Sequence, residues 1–236
     1  MQKFSVEEKA ELEELFRKRD SERRARDQQL KVERYRRLNT YVKPGQVLFA
    51  GSSLMEQFPV NELIQGESLP FAVYNRGIGG YTTRDLLEVM DVCIYDLHPA
   101  HLFLNIGTND MNGPDYREEE LMSRYREILT GIRRNLPRTK IHLLAYYPVN
   151  RTVGERDPRM GIIFSWRTNE RIAKANEAVR RLAEEFEAEY HDVNAGITDE
   201  NGELKAEYTV EGMHLYGDGY QAVLKELLPV LRALSL

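Results

Sequence analysis

Between residues 45 and 150 the chain carries four short apolar runs, each followed by a turn-forming stretch. Val47-Leu48-Phe49-Ala50 closes at Gly51, and Phe71-Ala72-Val73-Tyr74 closes at Asn75-Arg76-Gly77. The run at 101–106 closes at Gly107-Thr108, and the run at 141–146 closes at Tyr147-Pro148. A fifth run lies near 190–193. Runs that are apolar throughout, without a polar residue at every second position, suit strands buried on both faces. Stretches of helical character separate them, near 54–63, from Thr82 or Thr83 to 95, and at 115–135, 166–187 and 218–234. Strands alternating with helices predict βαβ units and a parallel, doubly wound α/β sheet of five strands.

Charge is distributed unevenly along the 236 residues. Residues 1–40 hold 12 Lys/Arg and 9 Asp/Glu, a net of +3, and residues 41–236 carry −8. No Pro or Gly precedes Pro44, and Ser5 with Glu8 reads as a capping box. A helical extension over 1–40 is therefore expected ahead of a domain over 41–236, as one helix or as two broken near Asp20-Ser21. Its apolar stripe is thin: Leu12, Leu15 and Phe16, then Leu30, Val32 and Tyr35. Such a helix is expected to lie on its own domain or to cross a partner as a homodimer arm. Acids interleaved with bases, and a net charge of −5, argue against a nucleic-acid partner. The single cysteine, Cys93, fits a reducing compartment. No apolar run is long enough for membrane insertion, and the opening residues lack the order of a secretory leader, so a cytoplasmic location is expected.

Ligands of open α/β sheets bind outside the carboxyl ends of the strands. Here those ends carry Gly51-Ser52-Ser53, Gly77-Ile78-Gly79-Gly80 and Gly107-Thr108-Asn109-Asp110, with Glu211-Gly212-Met213-His214 near the C-terminus. A hydroxyl, a glycine loop, a carboxamide and an acid three residues before a histidine are the parts acyl transfer needs. Taken in order, these four blocks resemble those of SGNH (GDSL-type) hydrolases, in particular the platelet-activating-factor-acetylhydrolase-like branch, over roughly residues 45–232. The resemblance implies a three-layer α/β/α sandwich with a five-stranded flavodoxin-like sheet. It also implies Ser53 as nucleophile, His214 as base, and Gly80 and Asn109 as oxyanion donors. The sequence departs from the family at two positions: Ser52 stands where Asp usually precedes the nucleophile, and Glu211 stands where Asp usually orients the histidine. Glu211 carries the same carboxylate on a longer stem, and Asp192 and Asp218 are fallback acids.

The expected activity is a serine esterase acting on a small ester: an acetylated sugar, a short-chain ester or a lysophospholipid. An acyltransferase, or a catalytically weak binding or scaffold module on the same fold, are the alternatives. No metal or organic cofactor is required. Ser52, Asp110 and Trp166 are expected to touch substrate, Asp110 alternatively as a supporting residue. The stretch 147–165, with Arg151, Arg156 and Arg159 before an apolar end, reads as a long loop forming one wall of the site. A dinucleotide reading of 77–80 fails because Thr82 stands where the third glycine belongs. Pro99 separates His98 from His101 and argues against a metal pair there. His142 and His191 read as ordinary strand residues.

Overall fold

Residues 5–235 are described in the structure, a computed structural model, without the side chains of residues 6–13 and 17. The five strands are β1 (Val47–Gly51), β2 (Val73–Gly77), β3 (His101–Asn105), β4 (Lys140–Leu144) and β5 (Glu189–His191), all parallel in the order β2-β1-β3-β4-β5. The helices are α1 (Val6–Asn39), α2 (Ser53–Glu56), α3 (Val60–Leu63), α4 (Thr83–Leu87), α5 (Met90–Cys93), α6 (Glu118–Asn135), α7 (Arg151–Gly154), α8 (Pro158–Phe164), α9 (Asn169–Glu185) and α10 (Gly217–Ala233).

Successive side chains of a strand face opposite ways, so each apolar run supplies both cores. Leu48, Ala50, Leu102, Leu104, Ile141 and Leu143 face the layer holding α4, α5, α6 and α9. Val47, Phe49, Phe103 and Leu144 face α2, α3 and α10. On that second face Phe49 stacks on Phe103 at 4.8 Å. Each Val, Leu, Ile or Phe among them, fully buried, contributes roughly 1.5–3 kcal/mol. The expected three-layer sandwich is therefore present, with the flavodoxin-like strand order 2-1-3-4-5.

Several element bounds differ from expectation. The second strand runs two residues later, because β2 pairs with β1 from Val73 to Gly77. Asn75 and Arg76 fit there because β2 is an edge strand: Asn75 Nδ2 donates to the Met55 carbonyl, and Arg76 lies over the Tyr35 ring. Pro59 separates α2 from α3. The helix expected from Thr82 to 95 is capped by Thr82 but breaks at Val89, whose φ is −131°. The stretch 147–165 is not a bare loop but folds into α7 and α8. Asn150 caps α7 by accepting from the Val153 N–H, and Asp157 caps α8 ahead of Pro158 in its first turn.

The N-terminal extension is one helix, unbroken at Asp20-Ser21. At 34 residues it is about 50 Å long. The expected Ser5–Glu8 box and the Leu12 contact involve side chains outside the described residues, while Leu15 and Phe16 are exposed. The C-terminal half docks on the domain with Val32 and Tyr35 packed against the core and polar contacts beside them. Tyr35 donates its O–H to the Gly77 carbonyl at 2.8 Å, and Asn39 donates to the Val92 carbonyl at 2.8 Å. Tyr35→Phe should lower the unfolding free energy by about 1 kcal/mol. Urea denaturation checks this, with exposed Arg26→Ala leaving the midpoint unchanged.

Candidate active site

β1 lies between β2 and β3 with all three carboxyl ends in register: Gly51 pairs with Gly77 on one side and Asn105 on the other. This is the point where the strand order reverses and a crevice opens. Ser53 is the first residue of α2, immediately past β1. Its Oγ lies 2.8 Å from His214 Nε2. On the other side of the ring, His214 Nδ1 meets Glu211 Oε1 in a short contact. The same carboxylate oxygen accepts the His214 backbone N–H at 3.3 Å. A carboxylate only accepts, so Nδ1 carries the proton and Nε2 presents a lone pair to the Ser53 hydroxyl. Asp192 and Asp218 instead accept backbone N–H groups within two residues of themselves.

A tight turn holds His214 in place. Thr209 Oγ1 donates to the His214 carbonyl and accepts the Gly212 N–H, both at 2.9 Å. Gly212 has φ +94°, and a Cβ there would sit 2.5 Å from the Asn150 carbonyl and 2.8 Å from the Phe164 ring. The stretch expected to form a wall thus has a second task, because Asn150, α7 and α8 brace the turn that carries the histidine.

The second block approaches Ser53 from the β2 side. A Cβ on Gly79 would lie 3.6 Å from Ser53 Cβ. Gly79 is fixed at both ends: its N–H donates to Glu56 Oε2 at 2.6 Å, and its carbonyl accepts from Gln28 Nε2 at 2.8 Å. Lys31 pairs with the other oxygen of Glu56, so two α1 residues hold this loop. The Gly79–Gly80 peptide is trans, so a carbonyl turned toward Gln28 turns the Gly80 N–H the opposite way. Gly80 has φ +80°, a conformation glycine adopts without strain, and a Cβ there would lie 3.1 Å from Gln28 Nε2. Among the described residues the backbone N–H groups of Ser53 and Gly80 have no protein acceptor.

Arg167, which sequence reasoning missed, orients Asn109. Its Nη2 donates to Asn109 Oδ1 at 2.8 Å. A guanidinium can only donate, so this contact fixes which end of the amide is oxygen and leaves Nδ2 to donate to the Tyr81 carbonyl at 2.9 Å. The Arg167 side chain is fully buried and also reaches Met213 Sδ. Burial lowers its pKa to about 10, opposed by the charges of Asp110 and Glu211, so it remains a cation at neutral pH. The available signal was weak, an arginine three residues after Phe164 where the apolar end of the 147–165 stretch meets α9.

Two of the three expected substrate contacts, Ser52 and Asp110, are not supported by the geometry, and Asp110 takes the supporting role that was its alternative. Ser52 is fully buried with its Oγ unpartnered among the described residues, so it is closed to a substrate. Asp110 is spent on scaffold, accepting from the Thr83 N–H at 2.9 Å, the Thr83 O–H at 2.5 Å and Arg124 at 3.3 Å. It ties α4 to the turn bearing Asn109. Trp166 is half-buried beside the Arg171 guanidinium, and its neighbour Arg167 is the residue that reaches the site.

The profile of the GDSL-like lipase/acylhydrolase family matches residues 60–222. The chain belongs to this family. A Streptococcus pneumonia protein provisionally described as a platelet activating factor superposes with a TM-score of 0.82 at 35% identity, covering 92% of this chain and 98% of its own. The platelet-activating factor acetylhydrolase IB subunit alpha2 of Rattus norvegicus is 25% identical over 78% of this chain and 75% of its own length. The isoamyl acetate-hydrolyzing esterase of Saccharomyces cerevisiae is 24% identical over 67% and 68% of the two lengths. The chain is thus an esterase or lipase of the GDSL type. No described helix is long and apolar enough to cross a membrane.

Cys93 takes no part in this arrangement. It is buried, and burial raises its thiol to a pKa of about 12. A thiol so protected forms little thiolate and reacts slowly. The native protein should leave Ellman's reagent unreacted over minutes, and one thiol per chain should appear on unfolding in urea.

Proposed function

We propose that this chain is a serine esterase that cleaves a small carboxylic ester through an acyl-enzyme on Ser53. The 2.8 Å contact between Ser53 Oγ and His214 Nε2, with Glu211 behind Nδ1, carries this reading. A serine hydroxyl is a weak nucleophile until a base takes its proton. His214 accepts that proton as Oγ attacks the ester carbonyl, then returns it to the leaving alcohol. Glu211 stabilises the imidazolium between those two transfers. Water, deprotonated by the same histidine, then cleaves the acyl-enzyme.

The tetrahedral intermediate places negative charge on the former carbonyl oxygen. The backbone N–H groups of Ser53 and Gly80 and the Asn109 amide are the donors proposed for it. Arg167 draws electron density from Asn109 Oδ1, which strengthens Nδ2–H as a donor. Gln28 acts through the Gly79–Gly80 peptide plane and holds the Gly80 N–H toward the site. Two relatives carry acetyl or acetate in their names, which supports a short acyl group.

Turnover of p-nitrophenyl acetate tests the mechanism. Ser53→Ala and His214→Ala should each lower kcat by roughly 10⁴-fold or more. Glu211→Gln should lower it by about 10²–10⁴-fold. If Glu211→Gln retained most of kcat, another group would orient His214. Gln28→Ala should lower kcat about tenfold or more with KM little changed, because only the transition state uses the donor. An unchanged kcat in that variant would remove α1 from the mechanism.

A further inference from the structure

We propose that His142, Glu189 and His191 form a binding site for a divalent transition-metal ion, with zinc the best fit, that fastens the edge strand β5 to β4. The site is separate from the serine. Ser53 follows β1, whereas these residues lie on the far side of β3. His142 pairs in register with Glu189, and Leu144 with His191. The period of two then puts His142, Glu189 and His191 on one face of the sheet.

The donor atoms converge. His142 Nδ1 lies 2.9 Å from His191 Nε2 and 3.5 Å from Glu189 Oε2, and His191 Nε2 lies 3.6 Å from that same oxygen. A tetrahedral zinc ion with bonds of about 2.0–2.1 Å needs ligand atoms about 3.3 Å apart. The three spacings bracket that value, and the shortest must open by about 0.4 Å. Two imidazoles and a carboxylate are a set that zinc accepts, with a fourth position for water. That position faces outward: the His142 side chain is buried, whereas Glu189 is 62% exposed.

The hydrogen bonds behind His142 prepare its lone pair. His101 Nε2 lies 3.0 Å from the Ser235 carbonyl, which can only accept. A neutral His101 therefore carries its proton on Nε2 and leaves Nδ1 bare. That Nδ1 lies 3.0 Å from His142 Nε2, which must donate to it. His142 Nδ1 is then bare and aimed at His191 and Glu189. Phe103 stacks on the His142 ring at 4.3 Å and fixes its plane. A metal-ligating imidazole whose other nitrogen donates to an oriented acceptor is the usual arrangement around a bound metal. Without metal, the His191 Nε2–H donates to His142 Nδ1. With metal, His191 carries that proton on Nδ1, so no proton need be released. β5 is three residues long and lies at the sheet edge, so the ion would hold the strand that has the shortest ladder.

The test uses the full chain stripped of metal with a chelator. Calorimetric titration with Zn²⁺ should show one ion per chain, and Co²⁺ should give the intense visible bands of a tetrahedral site. Zn²⁺ should also raise the thermal midpoint. His191→Ala should lose the Co²⁺ bands and the midpoint shift, and Glu189→Gln, at an exposed side chain whose change spares the core, should weaken binding. His214→Ala should keep all three signals. Absence of a one-to-one zinc complex would overturn the proposal. So would binding that survives His191→Ala, or binding lost in His214→Ala, which would place the ion at the serine site.

Discussion

The arrangement depends on β1 lying between β2 and β3 with their carboxyl ends level. Two backbone ladders fix that alignment, with β1 and β3 buried throughout, and a shift of one residue would turn each apolar side chain to the wrong core. Level ends place Ser53, the Gly77–Gly80 loop and the Thr108–Met111 turn around one crevice. His214 enters from a turn far along the chain, held by Thr209 and by the close approach of Gly212 to Asn150. The cost of ordering these loops is met in the two apolar layers beneath them, which lie at a distance from the chemistry.

The parts of this arrangement that repeat along the chain were legible in the sequence. Apolar runs ending at small residues marked the strands, and the residues just past them marked the site. Glu211 was legible as an acid three residues before His214, and the structure places its carboxylate on Nδ1 despite the longer stem. Elements set by side-chain capture were less legible. β2 extends into Asn75 and Arg76 because α1 and α2 take up their polar groups. The Asp157-Pro158 pair is a start signal for α8 that was available within an otherwise irregular stretch. Ser52 was misplaced because adjacency to a motif does not show which way a side chain turns, and Asp110 kept only its alternative, supporting role.

The extension illustrates the same limit. By composition it is a solvated, mixed-charge helix. Its contacts place Gln28, Lys31 and Tyr35 on the loop beside Ser53, through bonds to main-chain atoms and to Glu56. Main-chain partners add nothing to the apolar periodicity, so the thin stripe of Leu30, Val32 and Tyr35 does not announce them. Arg167 is similar, a buried cation whose partners, Asn109 and Met213, come from two distant blocks. A buried charge persists only where such partners are supplied, which ties the third and fourth blocks to each other.

The central claim is that Ser53 is the nucleophile activated by His214, and covalent capture tests it most directly. After incubation with a fluorophosphonate and proteolytic mapping by mass spectrometry, the account predicts one adduct on the peptide containing Ser53. The adduct should be absent in Ser53→Ala and form far more slowly in His214→Ala. An adduct on another residue, or none on the native protein, would contradict it.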